Sequence, residues 1–245
     1  MRPLWIALGL LTRVPVRLSV PPSEQEMGHS VLAYPVVGLL LGGCLAGLAI
    51  VFPFWGQDLQ AALLLACWVW MTGGLHLDGL ADSADAWVGG MGDRERSLAI
   101  LKDACSGPMA IVTLVLLLLI KWAAIKALLL ADQPGLFIIP PMLGRGGMVL
   151  IFLTLPYVRS NGMGAAAARM VPRTGGWIVL AAMSGGCLYG YGNLALLTLL
   201  CCLGVLGLLR RLLRQRLGGT TGDTVGAVCE LLEMVALLAL VHGVA

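Results

Sequence analysis

Charged side chains are scarce in this sequence. Only 12% of its 245 residues are Asp, Glu, Lys or Arg, whereas 59% are apolar, and the mean hydropathy is +0.92. A soluble domain of this length would carry about twice that share of charge. The composition therefore predicts one integral membrane domain over residues 1–245. The net charge of +3 is small and spread between apolar runs, so a nucleic-acid-binding surface is excluded.

Signatures of redox, zinc or secretion chemistry are also missing. The seven cysteines form no CxxC pair, and most lie inside apolar runs, where cysteine behaves as a small hydrophobe. A cleaved signal peptide is not indicated, because Arg13, Pro15 and Arg17 interrupt the first apolar stretch and no A-x-A site follows. We expect residues 1–30 to lie along the cytoplasmic face of the membrane instead.

Long apolar runs are abundant, and seven of them are about long enough to cross a bilayer as a helix. The fourth contains Pro140, Pro141 and Arg145 among several glycines, so we expect a kinked or broken helix there. The sequence predicts an all-α, polytopic membrane fold with about seven transmembrane helices plus cytoplasmic interfacial helices. The runs cover residues 31–52, 59–76, 108–131, 135–155, 175–191, 193–209 and 226–245.

Basic residues are distributed unevenly between the connections. Thirteen of the sixteen Lys and Arg residues fall in four alternate segments, and none falls in the connections on the opposite side. Cytoplasmic loops carry the excess of Lys and Arg, which predicts a cytoplasmic N-terminus and a C-terminus outside. The basic segments are residues 1–30, 77–107, 156–174 and 210–225.

The stretch LHLDGLADSADAW, residues 75–87, concentrates acidic residues next to apolar sequence. In a helix, Asp82 and Asp85 lie at roughly +40° and −20° from Asp78, so the three carboxylates share one face. Such a face needs a counter-charge, and oxygen-only ligands suit Mg²⁺, which would carry a phosphate-containing substrate. His76 lies on the opposite face, at about 160° from Asp78, and is expected to be structural or to face the substrate.

Two further acidic regions are candidates for the same site. In the connection 75–107, Gly89, Gly90 and Gly92 should break the helix, so the chain can fold back and bring Lys102 and Asp103 beside the aspartates. In the last helix, Asp223, Glu230 and Glu233 occupy one side. Ionisable residues so deep in an apolar run indicate function.

Basic residues in the same connections suggest phosphate chemistry, because Arg binds phosphate with two parallel hydrogen bonds. The candidates are Arg94, Arg96, Lys102 and Arg159. Each of these residues could instead be present only because cytoplasmic loops are rich in Lys and Arg, with no role in phosphate binding. The group at 210–216 is better explained as a basic collar facing anionic lipid.

Six blocks of this sequence together resemble the cobalamin synthase family, whose members are adenosylcobinamide-GDP ribazoletransferases. The resemblance runs nearly end to end, and its HLDGLADSAD and GGTTGD blocks are specific together. One departure is LLTR where the family usually has FLTR. The blocks are LLTRVPV (10–16), YPVVGLLLGG (34–43), GGLHLDGLADSADAW (73–87), DRERSLAILKD (93–103), PYVRSNGMG (156–164) and LGGTTGDTVGAVCELLE (217–233).

The resemblance implies a Mg²⁺-dependent enzyme of the bacterial or archaeal cytoplasmic (inner) membrane. Its substrates would be adenosylcobinamide-GDP and α-ribazole or its 5′-phosphate, with GMP released. The metal would be held by Asp78, Asp82 and Asp85, with Asp103 or Asp223 as further ligands. We expect Asp82, or failing that Asp85, to accept the hydroxyl proton. Glu230 and Glu233 would complete the site or hold the ribazole.

Two alternative functions are compatible with the sequence. A lipid-forming CDP-alcohol phosphotransferase also uses clustered membrane aspartates, but its DxxDGxxAR pattern is only partly met, because Ala86 follows DSAD. A cation-coupled secondary transporter would use the acids as ion sites, although no repeat relates the two halves of the chain. The sequence leaves the oligomeric state open and is compatible with a homo-oligomer.

Overall fold

The computed structural model describes residues 2–52, 56–103, 105–159 and 163–244. These residues form eleven α-helices and no β-strand, and one isolated parallel bridge joins Tyr157 to Thr220. The predicted all-α fold is confirmed. The helices are α1 (Arg2–Leu11), α2 (Glu24–Ser30), α3 (Tyr34–Val51), α4 (Gln57–Thr72), α5 (Leu75–Gly89), α6 (Arg94–Ile100), α7 (Pro108–Leu130), α8 (Ile139–Thr154), α9 (Met163–Met170), α10 (Arg173–Leu217) and α11 (Gly222–Val244).

Five helical stretches of the described chain are long and apolar enough to cross a membrane. α4 and α5, which are joined at a bend of 90°, pass the same test together and make a sixth crossing if the bent pair is one span. One of the five stretches is α10, which has 45 residues and is interrupted at Gly192. The protein is therefore a multi-pass membrane protein.

Gly192 divides α10 into two antiparallel arms, residues 173–191 and 193–217. Its φ of 53° and ψ of −127° are not helical, and glycine tolerates a positive φ because it has no Cβ. Leu180 and Leu206 line the same cavity, whereas a straight helix would hold them about 39 Å apart. With the two arms counted separately and α4 and α5 counted as one bent span, the crossings would number seven, as the sequence predicts.

The predicted second span, residues 59–76, ends earlier than expected. α4 stops at Thr72, and Gly73 (φ 68°) and Gly74 (φ 73°) then take the left-handed conformation that turns the chain into α5. α5 packs against α7 and α11. The predicted cytoplasmic connection 75–107 thus begins with the second half of a bent span rather than with a loop.

The fourth span runs from Pro134 to Thr154 as a 3₁₀ helix over Pro134–Ile138 followed directly by α8, and the expectation of a broken helix is wrong. Pro140 and Pro141 stand in the first turn of α8, where the helix needs no backbone N–H donor. A Cβ on Gly144 would lie 3.0 Å from the backbone oxygen of Cys229 in α11. Glycine here allows close helix packing and does not break α8.

The N-terminal segment divides into two parts. α1 is a short apolar helix, and an ion pair of 3.0 Å joins Arg2 to Glu26. α2 begins at a capping box in which Ser23 and Glu26 bond each other's backbone N–H. α2 continues through a 3₁₀ turn into α3, so residues 24–51 are helical throughout, and their apolar part is long enough to cross a membrane. The sequence of α2, EQEMGHS, is polar, and the interfacial location of residues 1–30 stays a prediction.

α11 lies at the centre of the bundle and packs against α5, α7, α8 and α10. The other side of α8 is covered by α3. In the apolar windows, 83% of residues are buried in the stretch that ends with α8 and 72% in α11, against 28% in α7 and 22% in α10. α8 and α11 therefore form the protein core, whereas α7 and α10 present most of their apolar surface to the bilayer.

Candidate active site

α5 carries three aspartates on one helical face, as the sequence predicts. The helix runs without a break over Leu75–Gly89, so the spacing of Asp78, Asp82 and Asp85 places their side chains on the same side. Asp78 is exposed, and Asp82 and Asp85 are half-buried. The acidic face is accessible at one end of the bundle.

Asp82 lies in the middle of a group of charges. Its carboxylate is acted on by the negative charges of Asp78, Asp223 and Asp85 and by the positive charge of Arg159. We call the four aspartates the acidic cluster. Charges of one sign repel each other more strongly where water is partly excluded. The acidic cluster is therefore a place where an added cation is stabilised.

Asp223 joins the cluster because α11 begins very close to α5. A Cβ on Gly79 would lie 2.6 Å from the backbone oxygen of Asp223 and 2.9 Å from its Cα. Only glycine allows the two backbones to approach so closely. The glycine of the LDG sequence thus sets the distance between the aspartates of α5 and the first turn of α11.

Arg159 is the basic residue that contacts the acidic cluster. Its Nη2 lies 2.7 Å from Asp223 Oδ2 and donates to the backbone oxygen of Leu101 at 2.7 Å. The segment before Arg159 is held to the start of α11 by the bridge between Tyr157 and Thr220. Burial raises the pKa of the Tyr157 hydroxyl, so this group stays neutral at physiological pH.

Asp85 has a structural contact that the other aspartates of α5 lack among the described residues. Its Oδ2 accepts from the backbone N–H of Gly107 at 2.5 Å, and its Oδ1 accepts from that of Ala110 at 3.0 Å. These N–H groups belong to the N-terminal end of α7, where free donors and the helix dipole favour a negative charge. Asp85 therefore caps α7 and is held in a defined position.

The chain folds back after α6, as the sequence predicts, and brings Asp103 near Asp85. Both residues line an open cavity of about 530 Å³ that also includes Gly107. Asp103 is exposed and accepts from the backbone N–H of Cys105 at 3.0 Å. The side chain of Lys102 is exposed. Asp103 is thus a neighbour of Asp85 at the edge of the site.

Arg94 and Arg96, predicted to bind phosphate, lie on α6. Arg94 Nε donates to the backbone oxygen of Leu217 at 2.8 Å and so satisfies one of the free carbonyls at the end of α10. Arg96 is exposed. Arg94 therefore has a structural contact of its own, and Arg159 is the predicted phosphate ligand that the structure places against the aspartates.

Glu230 and Glu233 are buried away from solvent and are already paired. Lys121 Nζ lies 2.5 Å from a carboxylate oxygen of each glutamate, and Arg145 forms a second ion pair with Glu233. These four side chains, which we call the buried ion network, join α7, α8 and α11. Their exposure is at most 4%. The sequence offered a signal for the partners, because Lys121 and Arg145 are basic residues inside apolar runs.

His76 lies close to the buried ion network rather than the acidic cluster. It is 3% exposed, and neither ring nitrogen has a hydrogen-bond partner among the described residues. A Cβ on Gly226 would lie 3.2 Å from His76 Cα, so the two helix backbones are in close contact. Its place agrees with the face predicted for it, opposite Asp78.

The acidic cluster has the donor chemistry of a Mg²⁺ site without a complete set of protein ligands. Among the described residues, no three His, Cys, Asp or Glu side chains are arranged to hold a metal ion together. Proteins usually hold Mg²⁺ by one or two carboxylates, with water and substrate phosphates completing the shell. The cluster fits that mode of binding.

Fold and site together define a multi-pass, all-α membrane protein with a charged site at one end of its helix bundle. The family model for cobalamin-5-phosphate synthase matches residues 3–241. The chain belongs to this family.

Relatives that are about half identical to this chain cover nearly its whole length. A protein of Pseudomonas fluorescens named adenosylcobinamide-GDP ribazoletransferase is 52% identical over 240 residues, which are 98% of this chain and 99% of the relative. Proteins with the same name from Pseudomonas entomophila and Stutzerimonas stutzeri are each 51% identical, over 98% of both chains. No solved structure matches the chain.

Proposed function

We propose that this protein is an adenosylcobinamide-GDP ribazoletransferase, which joins adenosylcobinamide-GDP to α-ribazole or its 5′-phosphate and releases GMP. Family membership and the names of relatives about half identical over the full chain support this activity. The observation that carries the proposal is the acidic cluster with Arg159 beside it. A cluster of this kind suits a substrate that carries a diphosphate.

In the proposed site, Asp78, Asp82 and Asp223 would hold Mg²⁺, with Asp85 and Asp103 at its edge. When bound, the ion would neutralise charge on the diphosphate and on departing GMP. Among these residues, Asp78 is exposed and is open to an incoming substrate. Asp85 Oδ1 and Oδ2 each accept a backbone N–H at the start of α7, so this residue orients the site more than it reacts.

Arg159 would hold the diphosphate of the substrate. Its side chain is 23% exposed and contacts Asp223 through Nη2, which leaves Nη1 for a phosphate oxygen. Lys102, Arg94 and Arg96 would add positive charge along the same edge. This arrangement places the substrate between a cation-binding face and a guanidinium.

The transfer step would form one P–O bond and break another. The ribazole 3′-hydroxyl attacks the phosphorus attached to the corrinoid, and the bond from this phosphorus to the oxygen of GMP breaks. Asp82 accepts the hydroxyl proton, because it is half-buried in the acidic cluster and is not occupied by backbone donors as Asp85 is. The proton acceptor must lie within hydrogen-bond reach of the attacking hydroxyl.

The site is proposed to face the cytoplasm of a bacterial inner membrane. The connections that surround the acidic cluster, 90–107, 155–172 and 218–221, belong to the basic set of segments. Soluble nucleotide substrates can reach a site on that side.

The transporter alternative loses its main support. Glu230 and Glu233 are paired with Lys121 and Arg145, so they need no transported cation to neutralise them. The acidic cluster lies at the end of the bundle and not at its middle, where transporter sites are found.

The test is GMP release by the purified protein in detergent, supplied with adenosylcobinamide-GDP, α-ribazole and Mg²⁺. We expect turnover by the natural chain and a loss of at least about 100-fold in Asp82→Asn, since general base catalysis contributes about 10²–10⁴-fold. Asp132→Asn is the matched control, because Asp132 lies in the turn after α7, at the opposite end of that helix from the cluster. Normal turnover by Asp82→Asn would refute its role, and no turnover by the natural chain would refute the activity.

A further inference from the structure

A cavity of about 350 Å³ lies between α5, α7, α11 and the second arm of α10. Its wall is almost entirely apolar, with Leu80, Leu213 and Leu231 among the side chains that line it. The volume is within the range of pockets that bind small molecules. Exposed residues at its margin, Val88 and Met109, show that the cavity opens at the surface of the bundle.

The cavity is on the other side of α5 from the acidic cluster. Leu80, Ser83 and Trp87 line it, and they lie at roughly 200°, 140° and 180° from Asp78 around the helix. A helix with its side chains is about 10 Å across. The cavity is therefore a space separate from the face of α5 that carries Asp78.

The shape of the cavity follows the helix axes. Along α10 it extends from Leu209 to Leu217, and along α11 from Thr224 to Leu231. These segments correspond to about 11–12 Å parallel to the helices. An elongated apolar space that runs along membrane helices suits an acyl chain.

A basic residue closes the interfacial end of the cavity. Arg216 lines it, donates to the backbone oxygen of Trp87 at 2.5 Å, and places its guanidinium carbon 4.9 Å from the centroid of the Trp87 ring. Arg216 Nε is buried and has no hydrogen-bond partner among the described residues. Arg211 and Arg214, which are exposed, lie within two turns of it.

We propose that this cavity binds one anionic phospholipid, with an acyl chain between the four helices and the phosphate on Arg216. Charge complementarity supports this occupant, since a guanidinium at the membrane interface attracts a phosphate. Trp87 is the kind of amphipathic ring found at this level of a bilayer. The bound chain would pack behind α5 and hold its acidic face towards α11.

The experiment measures retention of phosphatidylglycerol by the full-length protein in detergent, using native mass spectrometry and a titration with defined lipid. The natural chain is expected to retain one phosphatidylglycerol molecule in preference to phosphatidylcholine. Arg216→Gln should bind it about fivefold more weakly, as expected for one interfacial charge. Arg216→Lys should keep most of the binding.

Two pairs of variants distinguish lipid binding in the cavity from nonspecific lipid binding to the protein surface. Arg214→Gln removes the same charge from an exposed position outside the cavity, and it should bind lipid as the natural chain does. Thr113→Phe fills the cavity from α7 and should abolish retention. Val112→Phe adds the same ring to an exposed position beside it and should not.

Three outcomes would overturn the proposal. Equal weakening by Arg216→Gln and Arg214→Gln would mean that lipid binds only to a diffuse basic surface. Retention by Thr113→Phe would mean that no chain enters the cavity. Release of the retained lipid by α-ribazole would assign the cavity to that substrate.

Discussion

Lys121 and Arg145 explain how two glutamates can lie inside an apolar helix. An unpaired carboxylate in a membrane interior is very costly, whereas a paired and hydrogen-bonded carboxylate is tolerated. Lys121 contacts both Glu230 and Glu233 at 2.5 Å and lies 4.7 Å from the centroid of the Trp68 ring. The network contains two charges of each sign and is neutral as a whole.

Removal of one partner should therefore destabilise the protein more than removal of a matched pair. We expect Lys121→Met to lower the free energy of unfolding by about 3–5 kcal/mol, because two buried carboxylates then share one cation. Lys121→Met combined with Glu230→Gln should recover most of this loss. Thermal denaturation in detergent measures both effects.

Lys126→Met is the control for this prediction. Lys126 lies on α7, as Lys121 does, and forms an ion pair of 2.7 Å with Asp58 of α4. This pair is at the protein surface, because the Asp58 side chain is 65% exposed. Surface pairs of this kind contribute about 0–1 kcal/mol. If Lys121→Met were no more destabilising than Lys126→Met, the buried ion network would not stabilise the fold.

At the level of elements, the contact between α5 and α11 decides the geometry of the acidic cluster. Gly79 follows Asp78 in α5, and α11 begins against it. The spacing of the aspartates within α5 follows from the sequence of that helix alone. The position of Asp223 relative to them depends on Gly79, because only a residue without a side chain leaves room for the backbone of α11.

Gly79→Ala should separate α5 from α11. The added methyl group would meet backbone atoms of Asp223 at 2.6 and 2.9 Å, which cannot move aside as a side-chain end could. We expect a loss of about 1–3 kcal/mol in the free energy of unfolding and a marked loss of GMP release. Thermal midpoints and turnover in detergent are the measurements.

Gly43→Ala is a matched change in α3, where a Cβ would meet nothing within 4 Å. This variant should be as stable as the natural chain or slightly more so, because alanine is favoured over glycine in a helix. Full activity of Gly79→Ala would show that the close contact does not position the acidic cluster.

For the whole molecule, the bundle determines which residues face the same side of the membrane. With α4 and α5 as one bent crossing and α10 as a hairpin, the turns near Gln133 and Gly192 fall on the side opposite the acidic cluster. The alternation of crossings that the sequence predicts assigns the four basic segments to the side of the cluster.

Fusion of alkaline phosphatase tests this arrangement, because the enzyme is active only outside the cytoplasm. Fusions after Gln133 and Gly192 are expected to be active, and fusions after Gly92 and Gly219 to be inactive, as the positive-inside rule requires. Activity in the Gly92 fusion would place the acidic cluster outside the cytoplasm and would contradict the proposed orientation.

Much of the fold is predictable because a membrane imposes strong local rules. Long apolar runs can satisfy their backbone groups only as helices, so the helical class and the multi-pass architecture follow from the sequence. The shared face of Asp78, Asp82 and Asp85 follows equally from helical periodicity. The break at Gly73 and Gly74 is not predictable in this way, because two glycines in an apolar run also occur within continuous spans, as Gly146 and Gly147 do in α8.

The site is only partly predictable. Asp103 is expected near Asp85 from the sequence, and both line one cavity. The contact of Arg159 with Asp223 and the pairing of Glu230 and Glu233 with Lys121 and Arg145 join residues far apart in the chain. Periodicity within one helix carries no information about such contacts.

The sequence by itself therefore determined the class of protein, its long apolar helices and the acidic face of α5, because these follow from apolar length and helical geometry. Tertiary structure alone decided which charges are paired and buried and which remain at the site. Packing of α11 against α5, α7 and α8 assigns Glu230 and Glu233 to the core and Asp223 to the acidic cluster. The physical reason is that a buried charge needs a partner within a few ångströms, and only folding brings that partner there.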